Sequence, residues 1–255
     1  MPESTPIAPI SQPQGRVESA AGGVPRKRNV LAMALLVVLG GLAGAAGSQV
    51  IYQVRELFQV APERLGMPPR PPRIEREVFL CAVANHALGF AGLGLLLCGA
   101  VGLVLGAHGG STGLAVRGLL VGGGLGLLLG ALGGASAFLA YESTVAAPVD
   151  AIFKAMLIHM PNWLLLAVAI AIAALAAGRS GLAAMKLLTS ALIAGFLAAA
   201  LYPLLALLLF PAANSDRPIP FQLGLRLLCF MLGGVVLGIA ASGWLPARSV
   251  GASST

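Results

Sequence analysis

Two ionisable side chains lie well inside the apolar segments of this sequence, and they are the first candidates for chemistry. His86 follows Asn85 in the second apolar segment, and Arg226 lies in the sixth. A charge at the middle of a bilayer costs at least about 2.5 kcal/mol, so residues of this kind mark a functional site by default. Together with Glu142, at the end of the third segment, they form a candidate polar site for a proton or an anion.

Each of these residues also has a purely structural interpretation. A neutral His86 can form its hydrogen bond with a neighbouring residue in its own helix. The long side chain of Arg226 can extend to the lipid headgroups. Gln49, Tyr141 and Tyr202 are predicted at the same, outer half of the membrane. Sequence spacing does not show whether the helices meet there, so both interpretations are open.

Recognisable catalytic and cofactor motifs are missing from the sequence. It contains no nucleophile elbow, zinc-protease helix, phosphate loop or dinucleotide fingerprint. Its three cysteines, Cys81, Cys98 and Cys229, all fall in apolar segments and form no paired metal motif. We therefore expect no cofactor, no bound metal and no enzymatic activity.

Composition places the chain among membrane proteins. It is 58% hydrophobic and 10% charged, with a mean hydropathy of +0.91, whereas soluble domains are about 25% charged. The formal charge of +7 is spread through tails and loops, unlike the basic patch of a nucleic-acid-binding protein. The expected partner is the lipid bilayer, and nucleic acid is not expected.

An all-α, polytopic membrane helical bundle is the predicted fold. Residues 145–160, with Asp150 and Lys154 on one face, predict a helix lying in the headgroup plane. Pro161 is then expected to open the fourth span and Trp163 to lie at the interface, while Pro203 should kink the fifth span. The six predicted spans cover residues 30–54, 78–105, 116–141, 161–177, 182–210 and 221–244.

The two ends of the chain predict its orientation. Residues 1–29 are rich in proline and small polar residues and predict a disordered tail, and residues 246–255 predict a short one. The basic triplet at residues 26–28 adjoins the first apolar segment, which favours cytoplasmic termini and a bacterial inner membrane. A cleaved signal peptide is the other interpretation of this segment.

The connection at residues 55–77 contains five arginines, four glutamates and two proline pairs. Its mixed charge predicts a solvated outer loop. A proline-stiffened strap that docks a partner is the alternative.

Rows of glycine spaced four residues apart are the most regular feature of the sequence. In a membrane helix such a row lets a second backbone approach closely. We therefore predict glycine-zipper packing of the second and third helices as an antiparallel hairpin, with the row in the sixth helix as a second candidate partner for the third. The rows comprise Gly94, Gly102 and Gly106 in the second segment, Gly118, Gly122, Gly126, Gly130 and Gly134 in the third, and Gly234 and Gly238 in the sixth.

These features favour a non-catalytic scaffold or accessory membrane subunit, held together by glycine-faced contacts within itself, in a homo-oligomer or with another membrane protein. A small transporter or channel with an outward-facing polar site is the alternative. An intramembrane enzyme that uses His86 is the third hypothesis.

Overall fold

A computed structural model of the chain describes residues 30–54, 57–61, 65, 71–212 and 215–243, with the side chains of residues 30–37 and 54 left out. Every regular element within these ranges is a helix, which confirms the all-α fold. The predicted tails, 1–29 and 246–255, lie outside the described residues. The helices are α1 (Val30–Val54), α2 (Pro72–His108), α3 (Thr112–Thr144), α4 (Ala151–Ala176), α5 (Gly181–Leu209) and α6 (Leu223–Ser242).

Five of these helices, α2 to α6, are long and apolar enough to cross a membrane by length and composition. A multi-pass membrane protein is therefore compatible with the fold. Helix α1 has 25 residues, about 37 Å at 1.5 Å per residue. Its role as a sixth span stays a prediction.

The helices run up and down and form a closed bundle. Each helix packs against the next in chain order, α6 packs against α1, and α2 and α4 meet across the middle. Short connections enforce this order, because the α2–α3 turn has only three residues between its helices and Gly110 adopts the left-handed φ of 77° that closes it.

Glycine backbones form the contact between α2 and α3. Gly94 faces Gly126 and Gly102 faces Gly118, so a Cβ on any of the four would collide with the carbonyl group opposite. A Cβ on Gly122 would lie 2.5 Å from the carbonyl oxygen of Cys98. The same backbone approach occurs at Gly106, Gly130 and Gly134.

The glycine row of α6 faces α1, so its predicted role as a partner of α3 is wrong. A Cβ on Gly40 would lie 2.5 Å from the carbonyl oxygen of Gly234, and one on Gly44 would lie 2.6 Å from that of Phe230. Gly238 is buried on the same helix. The sequence signal for this contact is a row of small residues in α1 (Gly40, Gly44 and Ser48) that the sequence analysis overlooked.

Helix α2 begins earlier than the predicted span at residue 78. It starts at Pro72 and has 37 residues, about 55 Å, whereas the hydrocarbon core is about 30 Å thick. Proline suits a first-turn position because its missing N–H has no helical partner there. The charged residues 73–77 form the first turns of α2 and are largely exposed.

The predicted break between an interfacial helix at 145–160 and a span from Pro161 is absent. Helix α4 runs from Ala151 to Ala176 with Pro161 inside it, and the Asp150 carboxylate caps it by accepting from the N–H groups of Ile152 and Phe153. In water an interior proline costs about 3 kcal/mol. In a packed membrane bundle it is tolerated, because neighbouring helices and local adjustment satisfy the freed backbone group.

Trp163 is buried inside the bundle, and its predicted depth at the membrane interface stays a prediction. It is 1% exposed, and its ring packs directly on the Cα of Gly233 in α6. On the α5 side, a Cβ on Gly195 would lie 3.0 Å from the Trp163 carbonyl oxygen. Two glycines on different helices therefore make room for this one large residue.

We predict that Gly126→Ala lowers the free energy of unfolding by about 1–3 kcal/mol, because the added methyl group overlaps the Gly94 backbone, which cannot move aside without separating two helices. The matched control is Gly124→Ala, two residues away, where an added Cβ meets nothing within 4 Å. Thermal unfolding in detergent measures both variants. Equal unfolding midpoints for the two variants would contradict the backbone contact between Gly94 and Gly126.

Candidate functional site

Charge divides the bundle into two ends. One end, here called the acidic end, holds the start of α2, α4 and α6 and carries all of the described carboxylates. The opposite, basic end carries Arg117, Arg179 and Lys186 and no described carboxylate. The five carboxylates of the acidic end are Glu75, Glu77, Glu142, Asp150 and Asp216.

A cavity of about 220 Å³ lies at the acidic end between α2, α3 and the α5–α6 connection. We call it the α2–α3 cavity. Helix α2 supplies one wall, the end of α3 supplies another, and residues 217–221 cover it. Its lining residues are Ala82, Asn85, His86, Phe138, Tyr141, Arg217, Pro218, Ile219 and Phe221.

Asn85 lines this cavity, but its amide oxygen is buried within the surrounding protein. The residue is 8% exposed, and its Nδ2 group donates to the carbonyl oxygen of Phe58 at 3.0 Å. That bond fixes the orientation of the amide. Its Oδ1 atom has no hydrogen-bond partner among the described residues, and a buried acceptor left in this state costs about 1–3 kcal/mol.

His86 is held one residue further along α2. Its Nδ1–H donates to the carbonyl oxygen of Ala82 at 2.7 Å. The ring packs against Phe138 of α3 with 4.7 Å between centroids. The helix neighbour expected from sequence is therefore present, and the ring also lines the cavity.

Arg217 provides the positive charge of the cavity wall. Its guanidinium carbon lies 4.0 Å from the centroid of the Phe221 ring, a cation–π contact that orders a planar cation. Among the described residues, no carboxylate lines the cavity. The neighbouring Asp216 is directed to the other side of the connection, where it pairs with Lys154.

That pair belongs to a second group of polar residues, the α4–α6 polar cluster, which consists of Lys154, His159, Asn162, Tyr202, Asp216 and Cys229. The Lys154 ammonium lies 3.5 Å from the Asp216 carboxylate, with the two side chains 11% and 18% exposed. It also donates to the Val145 carbonyl oxygen at 3.5 Å. The positive charge of Lys154, at the start of α4, is thereby neutralised by the carboxylate of Asp216 in the α5–α6 connection.

His159 lies one turn deeper in α4 and is buried. Its Nε2 faces the carbonyl oxygen of Ser215 at 3.4 Å, so Nε2 carries the proton. Nδ1 then accepts from the Cys229 thiol at 3.7 Å. The ring meets Tyr202 edge-on with 4.6 Å between centroids, so this single histidine links α4, α5 and α6.

The deepest members of the cluster are incompletely hydrogen-bonded. Neither amide atom of Asn162 nor the hydroxyl of Tyr202 has a hydrogen-bond partner among the described residues. Asn162 also contacts Gly133 of α3, where a Cβ would lie 2.7 Å from the Asn162 Cα. Polar groups buried in this way are sites where ordered water binds.

The structure brings together only part of the predicted polar site. Asn85 and His86 share the α2–α3 cavity with Tyr141, whereas Glu142 is exposed and does not line it. Arg226 lies in the first turn of α6, 2% exposed, with its guanidinium carbon 4.4 Å from the Tyr52 ring centroid of α1. The expected extension of Arg226 to the headgroups is wrong, because Tyr52 and the closed α1–α6 contact hold it inside the bundle.

Sequence reasoning did not identify Lys154, His159 and Asp216 as one group. Lys154 and His159 were assigned to a helix in the headgroup plane because Pro161 follows them. The available signal for a single buried helix was the apolar character of residues 151–158, interrupted only by Lys154, and of residues 163–177 beyond Pro161. No sequence signal links Asp216 to Lys154, because the whole of α5 lies between them in the chain.

Metal binding has no support in the described ranges, where no group of three or more His, Cys, Asp or Glu residues could hold an ion. The Cys229–His159 contact resembles a nucleophile–base pair. Both residues are buried, however, so the thiol is closed to a substrate. The described geometry is suited to hydrogen bonding and charge pairing.

We predict that the Lys154–Asp216 pair is energetically coupled. Because the pair is partly screened by solvent, Lys154→Met and Asp216→Asn should each lower the free energy of unfolding by about 1–3 kcal/mol. The double variant should lose less than the sum of the two by at least about 0.5 kcal/mol. Unfolding in detergent measures the cycle, and strictly additive losses would show that the two groups do not interact.

Comparison with known proteins gives no relative: no protein-family model, no curated protein and no solved structure matches this sequence. The activity of the chain must therefore be inferred from its own residues, geometry and charge. Those features establish an all-helical protein with the character of a multi-pass membrane protein.

Proposed function

We propose that this chain is a six-span integral membrane protein with a non-catalytic role, a scaffold or accessory subunit whose helices are fixed by glycine-zipper contacts within one chain. The observation that carries this proposal is the direct facing of Gly94 with Gly126 and of Gly102 with Gly118. The glycine rows are occupied by partners in the same molecule, and that arrangement favours a rigid body.

The energetics support a rigid hairpin. Lipid tails are as apolar as leucine, so helix association in a bilayer depends on close van der Waals packing, which small residues permit. In α2 and α3 the contact continues from Gly106 near the basic end to Gly134 near the acidic end. Sliding or rotating one helix would drive a side chain into a backbone at several places at once.

The orientation proposed is cytoplasmic for both termini, in the inner membrane of a bacterium. The basic end carries Arg117, Arg179 and Lys186 close to helix ends. The acidic end carries five described Lys and Arg residues (Arg73, Arg76, Lys154, Arg217 and Arg226), so the count does not decide the orientation. The support for this proposal is the basic triplet at residues 26–28, which directly precedes α1 in the sequence, because positive charge beside the first span favours the cytoplasmic side.

A scaffold acts through a partner, which is a second copy of the chain or another membrane protein. Because the glycine rows are used internally, the partner would meet side chains on the outside of the bundle. Among the described helices, α5 has the most exposed large apolar side chains, including Leu182, Met185, Ile193, Phe196, Leu204 and Leu208.

The test of this proposal is a disulfide between α2 and α3 in a cysteine-free background. Gly99→Cys and Gly123→Cys suit it, since a Cβ on Gly99 would lie 3.5 Å from the Gly123 Cα and the closest other neighbours are leucine methyl groups that can move. Mild oxidation should produce a monomer with altered mobility in a denaturing gel. Reduction should reverse the change.

The matched control pairs Gly99→Cys with Gly124→Cys, because Gly124 points away from α2 and a Cβ there meets nothing within 4 Å. This pair should not cross-link within the chain. Disulfide-linked dimers from the first pair would place the glycine rows between copies and contradict the intrachain scaffold.

A small transporter with an outward-facing polar site is the second candidate, and the α4–α6 polar cluster is the observation that favours it. Intramembrane ionisable residues commonly mark proton or ion pathways. The cluster is confined to the acidic end, however. The hydroxyls at the other end, on Thr189, Ser190 and Ser242, bond to carbonyl groups of their own helices, so no polar route continues to the basic end through these groups.

Proton flux distinguishes the two candidates. Vesicles containing the protein and an internal pH dye should dissipate an imposed pH gradient at the rate of protein-free vesicles, because the scaffold has no open route. His159→Phe should leave that rate unchanged. A faster rate that His159→Phe abolishes would replace the scaffold with a proton-coupled transporter.

A further inference from the structure

The α2–α3 cavity combines one positive charge with a wall rich in aromatic side chains. Its volume is about 220 Å³, whereas an apolar cavity of about 150 Å³ is already large enough for a benzene ring. Three aromatic residues line it, with Phe138 and Tyr141 on α3 and Phe221 in the connection before α6. The space therefore fits a flat ring that carries one small substituent.

The apolar part of the wall is buried, and the charged part lies nearer the surface. Phe138 is 7% exposed and Ile219 is 6% exposed, whereas Arg217 is half-buried and Phe221 is exposed. Ligand pockets commonly join a hydrophobic lining to a few polar groups that fix the orientation of the ligand. A molecule in this cavity would therefore place its apolar body against the buried residues and its charge at Arg217.

Arg217 is the described lining residue that is charged at every physiological pH. It forms no ion pair with a described carboxylate, and its neighbour Asp216 pairs with Lys154 instead. The Phe221 ring, 4.0 Å from the guanidinium carbon, orders the cation but supplies no hydrogen-bond acceptor. A guanidinium presents its N–H groups as a planar fork that matches the two oxygens of a carboxylate.

The single cation limits the charge of the ligand. A carboxylate is neutralised by one guanidinium, whereas a dianion would leave a second charge without a partner in a largely apolar cavity, which is costly. The cation closest to the other side of the wall is Lys154, 5.8 Å from the Tyr141 ring centroid, and its charge is already paired with Asp216. The charges at this cavity therefore favour a monoanion.

We infer that the α2–α3 cavity is a binding site for a small monocarboxylic acid that carries an aromatic ring. The carboxylate pairs with Arg217, and the ring packs against Phe138 and Ile219, where aromatic contact adds to the burial of apolar area. The whole site lies within one chain. The inference therefore depends neither on the proposed scaffold role nor on the orientation of the protein in a membrane.

The test uses the purified full chain in a neutral detergent, and fluorine NMR follows the binding of three probes. They are para-fluorobenzoate, para-fluorobenzyl alcohol, which has the ring without the charge, and fluoroacetate, which has the carboxylate without the ring. The benzoate should bind at least about tenfold more tightly than either of the others, because hydrogen bonds to a charged group have an effect of this order. Micelles without protein, measured in parallel, correct for partitioning of the probes into detergent.

Two variants of one residue locate the charge. Arg217→Gln should weaken para-fluorobenzoate binding about tenfold and leave para-fluorobenzyl alcohol binding unchanged, which separates loss of the charge from loss of the fold. Arg217→Glu should reverse the preference, so that the para-fluorobenzylammonium cation binds more tightly than the benzoate. The matched control is Arg73→Gln, at the same end of the bundle, whose side chain is 86% exposed and which should bind all probes like the parent.

Equal affinity of the parent protein for the benzoate and the alcohol would overturn the inference. Fluoroacetate binding as tight as that of the benzoate would also overturn it, because the ring would then contribute nothing. Unchanged benzoate binding by Arg217→Gln would have the same consequence. The α2–α3 disulfide tests the scaffold alone, so an intrachain cross-link without a preference for the benzoate would reject the site and retain the scaffold.

Discussion

The backbone contact between α2 and α3 is the constraint on which the rest of the structure depends. Gly94 meets Gly126 and Gly102 meets Gly118 at a separation that no side chain allows. Helix α2 also packs against α1 and α4, and α3 also packs against α4, so this close pair fixes the positions of both neighbours. A second backbone contact, between Gly40 and Gly234, closes the ring between α1 and α6. The lack of a side chain at these glycines thus determines which helices can be neighbours.

Polar chemistry is concentrated where these glycine contacts end. The α2–α3 cavity opens beyond Gly130 and Gly134, and the α4–α6 polar cluster lies at the same end of the bundle. The α5–α6 connection separates the two groups, since Asp216 faces Lys154 and the next residue, Arg217, faces the cavity. One short segment therefore places opposite charges in different environments.

The predictions from sequence succeeded where local pattern decides structure. The all-helical fold and the α2–α3 pairing follow from apolar length, a short turn and the four-residue spacing of glycine. They failed where contacts between residues far apart in the sequence decide the structure. At Pro161, rules derived from soluble helices predicted a helix start, whereas α4 continues through this proline inside the packed bundle. The extension of Arg226 to the headgroups, one of its two interpretations from sequence, is also wrong. Tyr52, far away in sequence, lies against Arg226 inside the bundle.

The sequence by itself determined that this chain is helical, apolar and built for close helix contact, because those properties depend on composition and on spacing within a single helix. Only the tertiary structure decided which polar groups meet. Asn85 and Arg217 come to line one cavity, and Lys154 pairs with Asp216, across separations that carry no periodic signal. The ion pair forms because buried charges need partners, and the helix order set by the glycines determines which partners are within reach.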